Sequence, residues 1–227
     1  MLAILPTMTL KACAERSGKL SIRNSKMPGS TFAIAPSACK VGGKLVNVAG
    51  STCSRCYAMK LERMRPSVRM GWADNLNKAV TMLQTNPAQW VADMIWQIEH
   101  YAKKTGVNYH RWFDSGDLQS VEMLNAIFTI AEKTTHINYW LPTREARIVR
   151  DAIDARGAPM PGNLVIRVSS TMIGDKPVAR AANTSTVHRK GVEVSGWKCP
   201  ASSQGGACGD CRACWTPSVA NVSYPLH

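Results

Sequence analysis

Long apolar runs and acidic residues are both scarce in this sequence of 227 residues. No stretch of 18 or more consecutive apolar residues occurs, so the sequence predicts neither a membrane-spanning helix nor a membrane partner. The opening, MLAILPTMTL, has no basic residue before its apolar stretch and is interrupted by Pro6, which is not the pattern of a secretory signal peptide. We therefore expect a cytoplasmic protein.

The shortage of acidic residues leaves the chain strongly basic. Lys and Arg number 28 against 15 Asp and Glu, so the formal net charge is +13 at pH 7. Such an excess attracts nucleic acid, an anionic cofactor or an acidic protein partner, and the charge alone does not choose among them. The basic residues are spread along the chain rather than gathered in one run.

Cysteine, in contrast, occurs eight times. Disulfide frameworks belong mainly to small secreted domains, so eight cysteines in a reducing compartment indicate metal or redox chemistry. The length and the 45% hydrophobic content are those of one ordinary globular domain. We predict a single domain over residues 1–227, made of an N-terminal loop segment with cluster cysteines (1–56), a β/α core (57–170) and a cysteine-rich C-terminal segment (171–227).

The apolar pattern predicts alternating helices and strands in the middle of the chain. The first 50 residues are rich in small residues and predict loops with one or two short strands, including a hairpin around Gly42 and Gly43. A helical pattern begins at Tyr57, and Pro66 marks a break or a new first turn. The elements predicted downstream are helix 86–105, strand 107–113, helix 118–134, strand 137–143, helix 144–157 and strand 163–170.

Three such alternations with short connections predict an α/β fold with a parallel sheet, in the form of a full or partial (β/α) barrel or a doubly wound sheet, and we expect the partial barrel-like sheet. The cysteine-rich ends are predicted to be dominated by loops, and the order of the tail to depend on what its cysteines bind. Polar residues follow each predicted strand, where parallel α/β folds form their ligand sites. These residues are Asp114, Asp117, Thr143, Arg144, Glu145, Ser169 and Ser170.

The tail sequence KCPASSQGGACGDCRACWTP contains four cysteines, Cys199, Cys208, Cys211 and Cys214. Two consecutive Cys-x-x-Cys steps share Cys211 and resemble the ligand runs of bacterial ferredoxins, in which a further cysteine, often beside proline, completes the site. Cys199, which precedes Pro200, is the candidate for that ligand. Zinc is the structural alternative, although four-cysteine zinc sites more usually combine two separated pairs.

The N-terminal part contains the other four cysteines, Cys13, Cys39, Cys53 and Cys56. Cys53 and Cys56 are close enough in sequence to bind one metal or cluster, and the glycine-rich segment after Cys39 could fold back toward them. Three thiolates on a four-iron cluster leave one iron open to a substrate or cofactor, whereas four close the site. Cys13 decides between these arrangements, as a free thiol or as a ligand, and the sequence leaves both open.

Six motifs, taken in order, resemble a family of iron-sulfur proteins of bacteriophages and prophages that is usually labelled by a phage gene-product name. The motifs extend from Lys26 to Trp215 and are KMPGSTFAIAPSAC, CSRCYA, RWFDSGDLQS, WLPTRE, IRVSS and GGACGDCRACW. Members resemble the radical S-adenosylmethionine (SAM) superfamily, in which a partial α/β barrel holds a four-iron cluster on three cysteines and the open iron chelates SAM. The cysteine motif there is usually Cys-x-x-x-Cys-x-x-Cys, whereas Cys39 and Cys53 stand fourteen positions apart.

The resemblance implies one [4Fe-4S] cluster beside a SAM pocket, in a protein of the host cell cytoplasm. Together with the ferredoxin-like tail, it predicts a redox enzyme with a second, auxiliary [4Fe-4S] cluster and an electron donor. The ligands of the first cluster would be Cys39, Cys53 and Cys56, and those of the second the four tail cysteines. The residues facing SAM would be Tyr57, Ser115, Gly116, Asp117, Arg144 and Ser169. One alternative is a phage protein that binds nucleic acid or a host protein without catalysis and uses its clusters or zinc ions structurally. Another is an electron-transfer module with two closed clusters.

Overall fold

The computed structural model describes residues 8–22 and 25–226. Residues 1–7, which hold most of the opening considered above as a signal peptide, lie outside the described residues. In the described part, no helix has the length and apolar character needed to cross a membrane. The α-helices are α1 (Leu10–Ser17), α2 (Lys40–Leu45), α3 (Tyr57–Met64), α4 (Pro66–Thr85), α5 (Pro87–Thr105), α6 (Val121–Lys133) and α7 (Ala146–Arg156). The strands are β1 (Ser30–Phe32), β2 (Tyr109–Trp112), β3 (Asn138–Thr143), β4 (Leu164–Ser169), β5 (Thr184–His188), β6 (Trp197–Lys198) and β7 (Asn221–Pro225).

All these strands join one open parallel sheet in the order β1-β2-β3-β4-β5-β7-β6. Because β1 to β5 are neighbours in chain order, each connection advances one strand in the same direction, as in a (β/α) barrel that has not closed. The predicted α/β class with a partial barrel-like parallel sheet is confirmed. The carboxyl ends of the strands therefore meet along one edge.

Helix α5 shows how the local sequence determines where a helix begins and ends. The side chain of Asn86 accepts a hydrogen bond from the amide of Gln89, Pro87 occupies the first turn, and Gly106 ends the helix in the left-handed conformation with φ of 70°. Its buried face packs against the sheet, where the ring of Trp90 lies 6.0 Å from that of Trp112 on β2. The predicted helix over 86–105 is confirmed, and so is a new helix at Pro66.

The N-terminal segment differs from its prediction. Gly42 and Gly43 lie within helix α2 rather than in a hairpin, because that helix is held by contacts from elsewhere, including the amide of Val41 on the carboxylate of Glu145. Helix α1 was not predicted, since it buries only Cys13 and Ser17. A tertiary contact orders it: the Arg16 guanidinium and the Ser17 hydroxyl both bind the buried carboxylate of Asp93 on α5.

The tail also contains more regular structure than its composition predicts. Strand β5 buries Thr184, Ser185 and Thr186, so its interior carries no apolar signal. Arg167 on β4 is fully buried and donates hydrogen bonds to carbonyl oxygens of the tail, those of Ala213, Cys214, Thr216 and Val219 among them. This side chain fixes the cysteine-bearing tail on the sheet.

Replacing Arg167 should therefore release the tail. We expect Arg167→Leu to lower the free energy of unfolding by about 3 kcal/mol, because several buried carbonyl groups lose a charged donor. Urea unfolding followed by circular dichroism measures the change. Arg150→Leu, which alters an exposed arginine on α7, serves as the control, and an equal effect of the two substitutions would contradict the role given to Arg167.

Candidate functional site

A cavity of about 430 Å³ opens at the carboxyl ends of the central strands. This volume lies in the range of small-molecule sites. Its wall includes every residue that the sequence placed at the first cluster or the SAM pocket, namely Cys39, Cys53, Cys56, Tyr57, Ser115, Gly116, Asp117, Arg144 and Ser169. The fold thus gathers residues from the N-terminal segment and from the loops after β2, β3 and β4.

Three thiols meet at one side of this cavity. Cys39 directly precedes α2, Cys56 directly precedes α3, and the amide of Cys56 donates to the carbonyl of Cys53. A Cβ atom added to Gly42 would lie 3.3 Å from the Sγ of Cys53 and 3.9 Å from that of Cys39, so both sulfur atoms border the same small space. Glycine leaves that space open.

The thiols perturb one another electrostatically. Burial, followed by the charges of Asp117, Cys56 and Cys53, raises the pKa of Cys39. Burial also raises the pKa of Cys53, against a lowering influence of Arg144. Thiols in such a setting keep their protons at neutral pH unless a cation binds, and metal binding releases those protons.

Cys13 lies apart from this group. It is fully buried in α1, and its sulfur lies 3.8 Å from a guanidinium nitrogen of Arg16. Burial, followed by the charge of Asp93, raises its pKa to about 11. None of these three residues lines the cavity. The cavity therefore has three cysteines from the N-terminal segment rather than four.

The carboxylate of Asp117 ties the loops around the cavity together. One oxygen accepts hydrogen bonds from the Thr143 hydroxyl (2.6 Å) and the Leu118 amide (2.8 Å), and the other accepts from the Arg144 amide (2.9 Å). Burial raises its pKa to about 6 despite these bonds. Its hydrogen-bonding capacity is thus largely used within the protein.

Two further contacts connect these loops to the cysteines. The Nε of Arg144 donates to the hydroxyl of Thr52, next to Cys53 (3.0 Å), and the carboxylate of Glu145 accepts from the amide of Val41 at the start of α2 (2.8 Å). The positioning role of Thr52 and Glu145 was not identified from the sequence. The only available signal was the place of Glu145 at a strand end.

The cavity wall also carries buried polar atoms that lack a hydrogen-bond partner within the described residues. They are Arg111 Nε, Asp114 Oδ1, Ser115 Oγ and Trp140 Nε1. Because a buried polar group without a partner is costly, each of these atoms calls for an ordered water or, after a movement of its side chain, a group of a ligand. Arg111 and Trp140 were missed in the sequence, although they pair in register on β2 and β3.

The four tail cysteines form a second group beside the sheet. Cys214 is buried, while Cys199, Cys208 and Cys211 are partly buried, and Cys199 and Cys211 pack against an apolar cluster around Trp140, Cys214 and Trp215. Burial raises the pKa of Cys199 and of Cys208, and the charges of neighbouring tail thiols add to it. Burial raises that of Cys214 to about 12.

The two cysteine groups are separated by a thin layer of side chains. Tyr224 lines the cavity, and its hydroxyl lies 3.1 Å from the sulfur of Cys214. The guanidinium carbon of Arg111 lies 4.3 Å from the ring centre of Trp140, and Trp140 contacts Trp215 with ring centres 5.1 Å apart. Both groups therefore share one environment of aromatic and basic residues.

All eight cysteines are free thiols in the structure. Among residues 8–22 and 25–226, no three or more His, Cys, Asp or Glu side chains are arranged to hold a single metal ion. A tetrahedral zinc site needs thiolates about 3.8 Å apart, from a Zn–S bond of about 2.3 Å. The side chains as they stand therefore do not form a mononuclear site.

Comparison with known proteins places the chain in a family. The model of the family described as Gene product 88 matches residues 8–217, which include both cysteine groups and every strand of the sheet except β7. No curated protein and no solved structure matches the chain. The description has the form of a phage gene-product name, in agreement with the kind of family that the motifs resemble. The chain belongs to the Gene product 88 family.

Proposed function

We propose that this protein is an iron-sulfur protein that binds SAM in its cavity. The observation that supports this most is the meeting of Cys39, Cys53 and Cys56 at one wall of a ligand-sized cavity, while Cys13 is held elsewhere by α1 and α5. The first [4Fe-4S] cluster is assigned to these three thiols. The second is assigned to Cys199, Cys208, Cys211 and Cys214.

The sequence pattern of the tail cysteines favours a cluster over zinc, because two Cys-x-x-Cys steps share Cys211 whereas four-cysteine zinc sites usually combine two separated pairs. Each thiolate of a four-iron cluster binds a different iron atom, so its ligands stand farther apart than those of one tetrahedral ion. A cluster therefore needs more room among its ligands than a single zinc ion does. The Gly42 position adds to this argument, since it leaves room beside two of the sulfur atoms.

The donor set also fits an open cluster in electrostatic terms. A four-iron cluster supplies one-electron chemistry, and with three thiolates it retains one position for a ligand. Arg144 lies near enough to lower the pKa of Cys53, and Arg111 lowers that of Cys208 and Cys214. These guanidinium groups favour anionic thiolates at both cysteine groups.

SAM carries groups that would complement the unpartnered atoms of the residues around the cavity if their side chains turned toward it. Its carboxylate and ring nitrogens accept hydrogen bonds, which the Nε of Arg111 and the Nε1 of Trp140 can donate. Its amino group and hydroxyls donate hydrogen bonds, which the carboxylate of Asp114 can accept. The Ser115 hydroxyl serves either role. Asp117, whose carboxylate already accepts three hydrogen bonds, acts here by positioning this loop rather than through a free carboxylate.

The first test changes the space beside the thiols. We expect Gly42→Val to lose about half of the bound iron, because the new side chain projects from a point 3.3 Å from the sulfur of Cys53 and excludes one of two equal clusters. Gly43→Val, in the same helix, places its Cβ where no atom lies within 4 Å and should retain the iron. Equal iron content in both variants would contradict the assignment.

The second test concerns the ligand. After anaerobic reduction, we expect addition of SAM to change the electron paramagnetic resonance spectrum, since SAM would occupy the open iron of the cavity cluster. The Cys53→Ala, Cys56→Ala double variant keeps the tail cysteines and should not respond. Identical wild-type spectra with and without SAM would exclude SAM as the ligand. The cluster assignment would not be affected, because the iron content tests it separately.

A further inference from the structure

A basic part of the chain lies beside the cavity. From Lys40 to Ala73 the sequence has seven basic residues and one acidic residue, Glu62. Glu62 is buried and accepts a hydrogen bond from Ser37, so it contributes little to the surface. This part of the chain therefore carries a formal net charge of +6, nearly all of it from basic side chains that can attract anions.

Five of these basic side chains are exposed around helix α3 and the start of α4. We call them the α3–α4 basic surface: Arg55, Lys60, Arg63, Arg65 and Arg69. None of the five forms an ion pair with a described residue. Exposed apolar side chains accompany them, since Met64 and Met70 are each 63% exposed. The surface begins at the cavity, because Arg55 lines it.

Tyr57 stands where this surface meets the cavity. Its side chain lines the cavity and is 63% exposed, while its hydroxyl donates to the backbone carbonyl of Asp114 at 2.5 Å. An aromatic ring that is exposed and fixed at its far end loses little conformational entropy when a planar group stacks on it. Nucleic-acid bases are planar groups of this kind, and stacking on aromatic side chains is how single strands are commonly held.

We propose that the α3–α4 basic surface binds the phosphates of a single-stranded nucleic acid and that one base stacks on Tyr57 at the cavity mouth. We assign phosphate binding to this surface because of its charge: five basic side chains without an ion pair among the described residues lie within a few helical turns of the cavity mouth. The fixed tyrosine accounts for the preference for an unpaired strand, since the bases of a duplex are already stacked on one another. The substrate or partner class of the cavity is therefore a single strand.

Binding of labelled 12-nucleotide single strands of DNA and RNA to the whole protein tests this inference, with fluorescence anisotropy as the readout and a duplex of the same sequence for comparison. We expect single strands to bind about tenfold more tightly than the duplex. The affinity should fall with added salt, because phosphate contacts release counterions. Equal affinity for the duplex would overturn the proposal.

A matched pair of triple variants locates the contact. Replacing Lys60, Arg63 and Arg69 by Ala should weaken binding about tenfold and reduce the salt slope by about two, since each lost phosphate contact contributes about 0.7. Replacing Lys103, Lys104 and Lys133 by Ala removes the same charge from exposed positions at the opposite edge of the sheet and should change affinity less than about twofold. Equal weakening by both sets would overturn the proposal.

The role of Tyr57 is separated from that of charge by two substitutions. Tyr57→Leu should weaken single-strand binding about fivefold or more, whereas Tyr57→Phe, which keeps the ring, should stay within about twofold of the wild type. Iron is measured on the same samples. Wild-type protein that contains iron and binds no single strand would overturn this inference alone, and binding by protein without iron would overturn only the cluster assignment.

Discussion

The geometry of the cavity depends on the hydrogen bonds that the buried carboxylate of Asp117 accepts. It accepts hydrogen bonds from its own loop after β2 and from the loop after β3. The second loop in turn holds the N-terminal segment, through Arg144 on Thr52 and Glu145 on the amide of Val41. A chain of polar contacts thus fixes the distance between two strand ends and the three cysteines. Parallel topology makes this possible, because it brings successive strand ends to the same edge.

The second cysteine group depends on a different buried charge. Arg167 projects from β4 and binds the carbonyl groups of the tail around Cys214, so the tail is ordered by the sheet as well as by anything its thiols bind. Only a layer formed by Arg111, Trp140 and Tyr224 separates this group from the cavity. The two cysteine groups are therefore neighbours in space although most of the chain lies between them in sequence.

The sequence predicted those features that depend on local pattern. Helix α5 has a cap, a proline and a clear apolar stripe, and the strand-end residues Asp117 and Arg144 follow from the alternation of strands and helices. Helix α1 and strand β5 were not predictable in this way, because tertiary contacts stabilise the first and polar residues fill the interior of the second. Part of the cavity wall was likewise not predictable from local sequence. Arg111 and Trp140 look like ordinary strand residues until the register of β2 and β3 places them side by side.

The most direct test of whether the chain holds two four-iron clusters is the iron and acid-labile sulfide content of anaerobically purified protein. The account predicts about eight of each per chain, and about four of each after Cys208 and Cys211 are both replaced by Ala, since each group of cysteines would hold one four-iron cluster. Cys13→Ala should not reduce either value, because that thiol lies away from both groups. Zinc without sulfide, or iron that is unaffected by loss of Cys208 and Cys211, would contradict the account.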